Sequence, residues 1–364
     1  MFNNLLGYGV IGARRKFMFA VLDLKCQDIA AVAVGWNKKG TTIIPDSFVI
    51  IKSKGIHRGV ITDLAEAADS IAEAISRLKD LTGEKIKDVY VAMSPRSVEI
   101  TPSRGMILLS KYGRTVLAKD VEKCVEMAAF VKLPQGKEVL HTLTKEFAVD
   151  NEKGIINPVG LDGVKLSADV NILAVDSSAV RNISKCVALS GCNIFGIIFS
   201  GIAYANRILS DTDSLKTVAI LNMCADSVEV SIFEKKKIIF TKIIETGIIN
   251  FLTRTGIRGE VLRNFAEDLK AISVWPNVEE IIVTGDASLY EDILEPLEQI
   301  TKIPAKFGVC QIRTSEELPS QRLGYIGCLG MIDYIASESL VSRAKGNFIS
   351  WGYFKISKFL DRYF

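Results

Sequence analysis

Apolar and polar positions separate most sharply in the last eighteen residues, Asn347 to Phe364. Wound at about 100° per residue, Phe348, Phe359, Tyr363, Ile356, Ile349, Leu360, Tyr353 and Phe364 share one continuous arc. Asn347, Ser350, Ser357, Asp361, Lys358, Arg362 and Lys355 take the other arc. Trp351 and Phe354 fall on the polar side, and Gly352 within the apolar arc. Charges interrupt the stretch too often for it to cross a bilayer. The pattern predicts a basic, aromatic-rich helix lying in a membrane surface. Phe348, Ile349, Trp351, Ile356, Phe359, Leu360, Tyr363 and Phe364 would enter lipid, while Lys355, Lys358 and Arg362 would meet lipid phosphates. A final helix docked on the protein's own core is the alternative. Against it, residues 336–346 (ASESLVSRAKG) read as a polar linker.

Elsewhere the pattern alternates between strand and helix periods. Residues 20–34 (AVLDLKCQDIAAVAV) form two β-rich runs around a polar corner. Roughly 200 residues later, 219–232 (AILNMCADSVEVSI) repeat that arrangement. Two copies of one hairpin at this separation predict two similar α/β lobes. Between them, Thr62 or Asp63 can cap a helix with Leu64, Ala68, Ile71, Ile75 and Leu78 on its apolar face and Gly83 past its end. Asp120 can cap a second helix through Ala129. Strands are expected at 89–93, 98–101, 139–149 and 170–175, and the run 192–205 reads as a buried strand entering a helix. Residues 280–289 (EIIVTGDASL) suit a strand ending in a ligand-facing turn.

Composition narrows this picture. A chain of 364 residues has room for two or three domains. A net charge of +3, scattered along the chain, gives no footprint for nucleic acid. Seven dispersed cysteines without a CxxC pair, and only two histidines, make a zinc site improbable and suggest reduced thiols in the cytosol. At the N-terminus the positive charges follow the apolar residues, the reverse of a secretory signal. Residues 1–16 read as a flexible tail.

Several stretches resemble the bacterial cell-division FtsA family, actin-like membrane tethers. They are SKGIHRGVITD (53–63), IKDVYVAMSPRSVEIT (86–101), DVEKCVEMAAFVKLP (120–134) and VLHTLTKEFAVDNEKGIINPVGLDGVKL (139–166). The terminal helix is similar to the family's membrane-targeting sequence. The resemblance implies an α/β, actin-like (RNase H-like, duplicated) two-lobed fold with an inserted SHS2-type domain, called 1C. The implied domains are a tail (1–16), a first lobe 1A (17–83 and 166–190), domain 1C (84–165), a second lobe 2A with a truncated 2B (191–335), the linker (336–346) and the amphipathic helix (347–364).

The resemblance also implies a nucleotide cleft, and there this chain departs from the family. Glycine-rich corners let backbone N–H groups approach phosphate, and an aspartate in each hairpin manages the cation or water. Asp23 is kept, but its corner reads Lys25-Cys26, and Asn222 stands in place of the second aspartate. The second corner is Cys224-Ala225-Asp226, followed by Ser227, and Gly285 alone remains of the adenosine-side glycine pair. An inward Asp226 would repel a phosphate by about 4 kcal/mol at about 4 Å and an effective dielectric near 20. Asp23, Lys25, Asn222, Ser227 and Gly285 are thus a degenerate nucleotide site, with ATP and magnesium doubtful, no metal ligands and no catalytic residue. Only about 33 residues separate Gly247 from Glu280, where the family places the whole of 2B, the dock for the C-terminal peptide of the tubulin-like protein FtsZ. A remnant built on Arg254, Arg258 and Arg263 would have to make that contact. The expectation is a non-enzymatic scaffold on the cytoplasmic face of the inner membrane at the division site. It would bind inner-membrane phospholipids, FtsZ and other division proteins, and further copies of itself. A slowly hydrolysing actin-like ATPase and a membrane-bound pilus or envelope assembly scaffold are the alternatives.

Overall fold

The computed structural model describes residues 17–37, 40–210, 212–253, 256–257, 259–286, 291–308 and 323–344. The predicted tail, Arg254, Arg258 and every residue of the predicted membrane helix lie outside the described residues.

The chain opens with β1 (Phe17–Leu24), β2 (Asp28–Asn37) and β3 (Gly40–Lys52), an antiparallel meander. A small turn of β4 (Ile56–His57) and β5 (Val60–Ile61) leads into helix α1 (Leu64–Thr82) and strand β6 (Asp88–Met93). As expected, Asp63 caps α1, its Oδ1 accepting the Glu66 N–H at 2.9 Å, and left-handed Gly83 ends it. An insertion follows: β7 (Glu99–Leu108), β8 (Arg114–Thr115), α2 (Ala118–Ala129), β9 (Lys137–Val149), β10 (Glu152–Ile155), β11 (Asp162–Gly163) and β12 (Lys165–Asp176). The chain then re-enters the first lobe through α3 (Ser177–Leu189) and β13 (Asn193–Phe199), and leaves it through α4 (Ser200–Ile208).

The second lobe repeats the plan with β14 (Thr217–Met223), β15 (Val228–Glu234) and β16 (Lys237–Ile244). Then come α5 (Ile248–Phe251), β17 (Leu252–Thr253), β18 (Gly256–Ile257), α6 (Gly259–Lys270), β19 (Glu280–Gly285), α7 (Leu294–Thr301) and β20 (Ala305–Phe307). Helix α8 (Ile326–Ala344) closes the described chain.

The duplication is plain in the sheets. One runs β13-β6-β1-β2-β3 and the other β20-β19-β14-β15-β16. In each, an antiparallel three-strand meander is extended by two parallel strands. Strand alternation sorts the faces. Ala20, Leu22 and Leu24 join α1 and α3 in one core, while Phe19 and Val21 pack with α4 and α8. In the second lobe Ala219, Leu221 and Met223 face α5, α6 and α7, and Val218 and Ile220 face α4 and the insertion. Asp23 and Asn222 sit one step further along these inner faces.

The insertion is a four-stranded sheet, β10-β9-β12-β7, with α2 packed on it. Its limits differ from those expected. β6 belongs to the first lobe's sheet, and β12 to the insert, because β12 pairs along its whole length with β7 and β9. Asp120 also acts differently. It lies within α2 and accepts the Leu117 N–H at 2.9 Å, while Arg114 grips its carboxylate with two bonds of 2.6 Å. Residues 336–344, expected as linker, continue α8, since no glycine or proline interrupts them before Gly346.

The insert is seated firmly on the second lobe. Asn171 Nδ2 donates to the Ile238 carbonyl at 2.7 Å, and Lys237 Nζ to the Thr144 carbonyl at 2.8 Å. Buried His141 accepts the Phe199 N–H at 3.0 Å, at the entry to α4. Leu173 and Val175 of β12 share a core with Val218, Ile220 and Phe233.

Candidate functional site

The two hairpin corners face the cleft between the lobes, and both are tight turns. Lys25 N–H closes the first on the Asp28 carbonyl at 3.1 Å, and Cys224 N–H closes the second on the Ser227 carbonyl at 2.9 Å. Each closure spends one backbone donor, the Lys25 N–H at the first corner and the Cys224 N–H at the second.

Asp23 is buried beneath the crossing helices and accepts the Tyr204 hydroxyl of α4 at 2.9 Å. Gly327 of α8 lies against it, where an added Cβ would sit 2.2 Å from Oδ2. Burial pushes the Asp23 carboxyl up to about 6, against the pull of Lys25 and Tyr204. The Lys25 ammonium is also buried and pairs with Asp28 at 2.7 Å. Burial opposes its charge, yet Asp28 and Asp23 together hold it protonated above the ordinary lysine range.

The second corner is filled from several sides. Gly285, at φ +78°, packs so closely that a Cβ would lie 2.5 Å from Asn222 Oδ1. The next residue, Asp286, accepts the Ala225 N–H, and burial raises its carboxyl even though Lys25 draws it down. Ser227 Oγ donates to Asp226 Oδ1 at 3.1 Å, and Asp226 Oδ2 accepts the Arg58 N–H from across the cleft at 3.1 Å. The start of α5 is tied to the same corner, with Ile248 N–H on the Cys224 carbonyl at 2.9 Å. The Cys26 thiol beside it, and burial, push the Cys224 thiol well above its ordinary range.

Magnesium–ATP needs charged carboxylates, a free cation and unspent backbone donors. Here Asn222 is neutral, Lys25 is bound to Asp28, and the N–H groups of Lys25, Cys224 and Arg58 all serve acceptors of this chain. The residues present do not fit that ligand. Among the described residues, no group of three or more His, Cys, Asp or Glu is placed to hold a metal ion.

The structure brings Asp23, Lys25, Asn222, Ser227 and Gly285 to the two corners of one cleft. Arg263 is exposed on α6. Sequence reasoning missed Tyr204, Asp286, Arg58 and above all Glu229. Glu229 is buried, accepts hydrogen bonds from Ser94 of the first lobe and from Ser231, and is pushed up to about 7 by burial. Its place in VEVSIF reads as an outward polar position, but β15 is covered on both faces.

The match to known proteins follows this geometry. Residues 96–174 match the model of the SHS2 domain inserted in FtsA. The chain is 28% identical over 218 residues to the cell division protein FtsA of Borreliella burgdorferi, covering 60% of this chain and 53% of that protein. It is 28% identical over 192 residues to FtsA of Pseudomonas aeruginosa, covering 53% and 46%. For FtsA of Escherichia coli K12 the figures are 27% over 208 residues, 56% and 49%. The chain thus spans about half the length of the curated relatives it matches. Among solved structures, a PilM–PilN type IV pilus biogenesis complex aligns with a TM-score of 0.58 at 14% identity, covering 86% of this chain and 97% of that one. The ethanolamine utilization protein EutJ of Carboxydothermus hydrogenoformans aligns with a TM-score of 0.50 at 10% identity, covering 91% and 95%. These likenesses concern the fold alone. With an SHS2 domain set inside a duplicated actin-like fold and FtsA sequences matching it, the chain is an FtsA-like protein.

Proposed function

We propose that this chain is a non-enzymatic scaffold of bacterial cell division. It holds the cytoplasmic face of the inner membrane through residues 347–364 and gathers FtsZ and other division proteins at the division site. The observation that carries this reading is the cleft: an actin-like core with an SHS2 insert, whose phosphate corners are occupied by the chain's own Asp226, Lys25 and Asp286. Without a turnover step, the remaining use of such a body is to position partners. Among the described residues no helix is long and apolar enough to cross a membrane.

Eight large apolar side chains at half insertion contribute roughly 6–12 kcal/mol before ordering costs. A single anchor is therefore reversible, and self-association strengthens attachment through avidity. One sedimentation assay tests both ends of the tether. Anionic vesicles carrying the protein are expected to bring down a labelled FtsZ C-terminal peptide. The Trp351→Glu, Phe359→Glu variant is expected to leave both protein and peptide in the supernatant. Pelleting of that variant would remove the anchor from the account. A peptide that stays in solution while wild-type protein pellets would remove FtsZ.

A further inference from the structure

We infer that the lobes are held closed by the chain's own carboxylates, with Asp226 taking at the second corner the place that a phosphate anion would take. The inference goes beyond the scaffold reading and does not depend on which partner the chain binds.

The donor side is a built turn. Arg58 and Gly59, between β4 and β5, both lie in the left-handed region, at φ 49° and 71°. Two such residues make the tight turn of the β4–β5 hairpin, and the Arg58 N–H points out of it to the second lobe. Its position is fixed by packing, since a Cβ on Gly59 would lie 1.9 Å from the Ser94 carbonyl oxygen and one on Gly55 2.3 Å from that of Asp63. The acceptor side comes from the other lobe. Asp226 Oδ2 takes the Arg58 N–H at 3.1 Å.

Beside this contact, Glu245, just past β16, accepts Arg58 Nη1 at 2.7 Å and pairs with Arg96 Nη2 at 2.5 Å. Arg58 belongs to the first lobe, Arg96 to the entry of the SHS2 insert and Glu245 to the second lobe. One carboxylate therefore joins three bodies. Deeper in the cleft the Ser94 hydroxyl of the first lobe donates to Glu229 of the second.

Each exposed ion pair alone contributes little, about 0–1 kcal/mol. The N–H to carboxylate bond is charge-assisted and more specific, and the Asp226, Glu245 and Arg96 contacts are linked through Arg58 and Glu245, so they act as a unit. A nucleotide-dependent actin-like body closes when phosphates join its hairpins. Here the joining anions are permanent, so closure follows ionic strength instead of nucleotide.

Amide hydrogen exchange on the full chain reads the Arg58 N–H directly. In the Asp226→Ala, Glu245→Gln double variant, exchange across residues 56–60 is expected to rise about tenfold, the equivalent of one hydrogen bond to a charged group. Exchange in β6 and β14 should stay as in wild type, which shows that both lobes remain folded. Glu73→Gln removes a half-exposed ion pair within α1, Arg77–Glu73 at 2.6 Å, and should leave the 56–60 segment unaffected. Unchanged protection of residues 56–60 in the double variant overturns the inference. So does an equal rise in the Glu73→Gln control.

Discussion

Gly330→Ala is expected to destabilise the protein by about 3 kcal/mol or more, the upper range for overpacking a close-packed interior. Gly330 lies where α8 crosses α4, and a Cβ built there would come 1.7 Å from the Ala203 carbonyl oxygen. That contact is backbone on the far side, so no side chain can rotate away. Either the helices separate or α8 slides. Both movements disturb Ile326, Cys328, Leu329, Met331 and Ile332, which are buried against the first lobe's sheet. The neighbouring Gly327 holds a similar constraint against Asp23. Gly154→Ala is the control. Gly154 has φ +75° but open space around it, so it should cost only about 1 kcal/mol of backbone strain. Denaturant unfolding followed by circular dichroism compares them. Equal losses in the two variants would mean that the crossing is looser than described.

The second large effect is a loss of stability as pH rises toward neutrality. Glu229 is raised from the ordinary glutamate range to about 7, and Asp23 from the ordinary aspartate range to about 6, both mainly by burial. In each case the folded state binds its proton more tightly than the unfolded chain does. Below about pH 4 both states are protonated and neither group matters. Between there and pH 7 the unfolded state gives up protons that the folded state keeps, so stability falls with rising pH. Each group accounts for a cost on the order of 3 kcal/mol when fully ionised. The two carboxylates repel one another, so their costs overlap. Asp120 works in the opposite direction. Its bonds to Arg114 hold it down at about 2, and its stabilising contribution is lost only as pH falls below the ordinary aspartate value. Glu229→Gln should therefore raise stability at pH 8 by about 2 kcal/mol and change it little at pH 5. Equal effects at the two pH values would contradict the assignment.

Much of this architecture was written in local pattern. The paired hairpins are legible because period-two alternation survives in both copies, with Asp23 and Asn222 at matching steps. The α1 helix is legible from Asp63 and Gly83, whose capping chemistry is local. The insert's limits were not, because which sheet β6 and β12 join depends on pairing with distant strands. Polar composition made 336–344 look like a linker, although serine and glutamate without a breaker extend a helix already docked. Within the cleft, the altered corner residues were legible, but the partners they meet were not. The partners Arg58 and Asp226 are 168 residues apart, and only the folded cleft brings them together. Glu229 hid in an ordinary alternating strand because sequence period cannot tell a face open to water from one covered by a second layer.

Isothermal titration calorimetry of the purified full-length chain with magnesium–ATP tests the centre of the account. A cleft whose donors and cation are committed to Asp28, Ser227 and Asp226 predicts no saturable heat at ATP concentrations up to millimolar. A micromolar or tighter dissociation constant would contradict it.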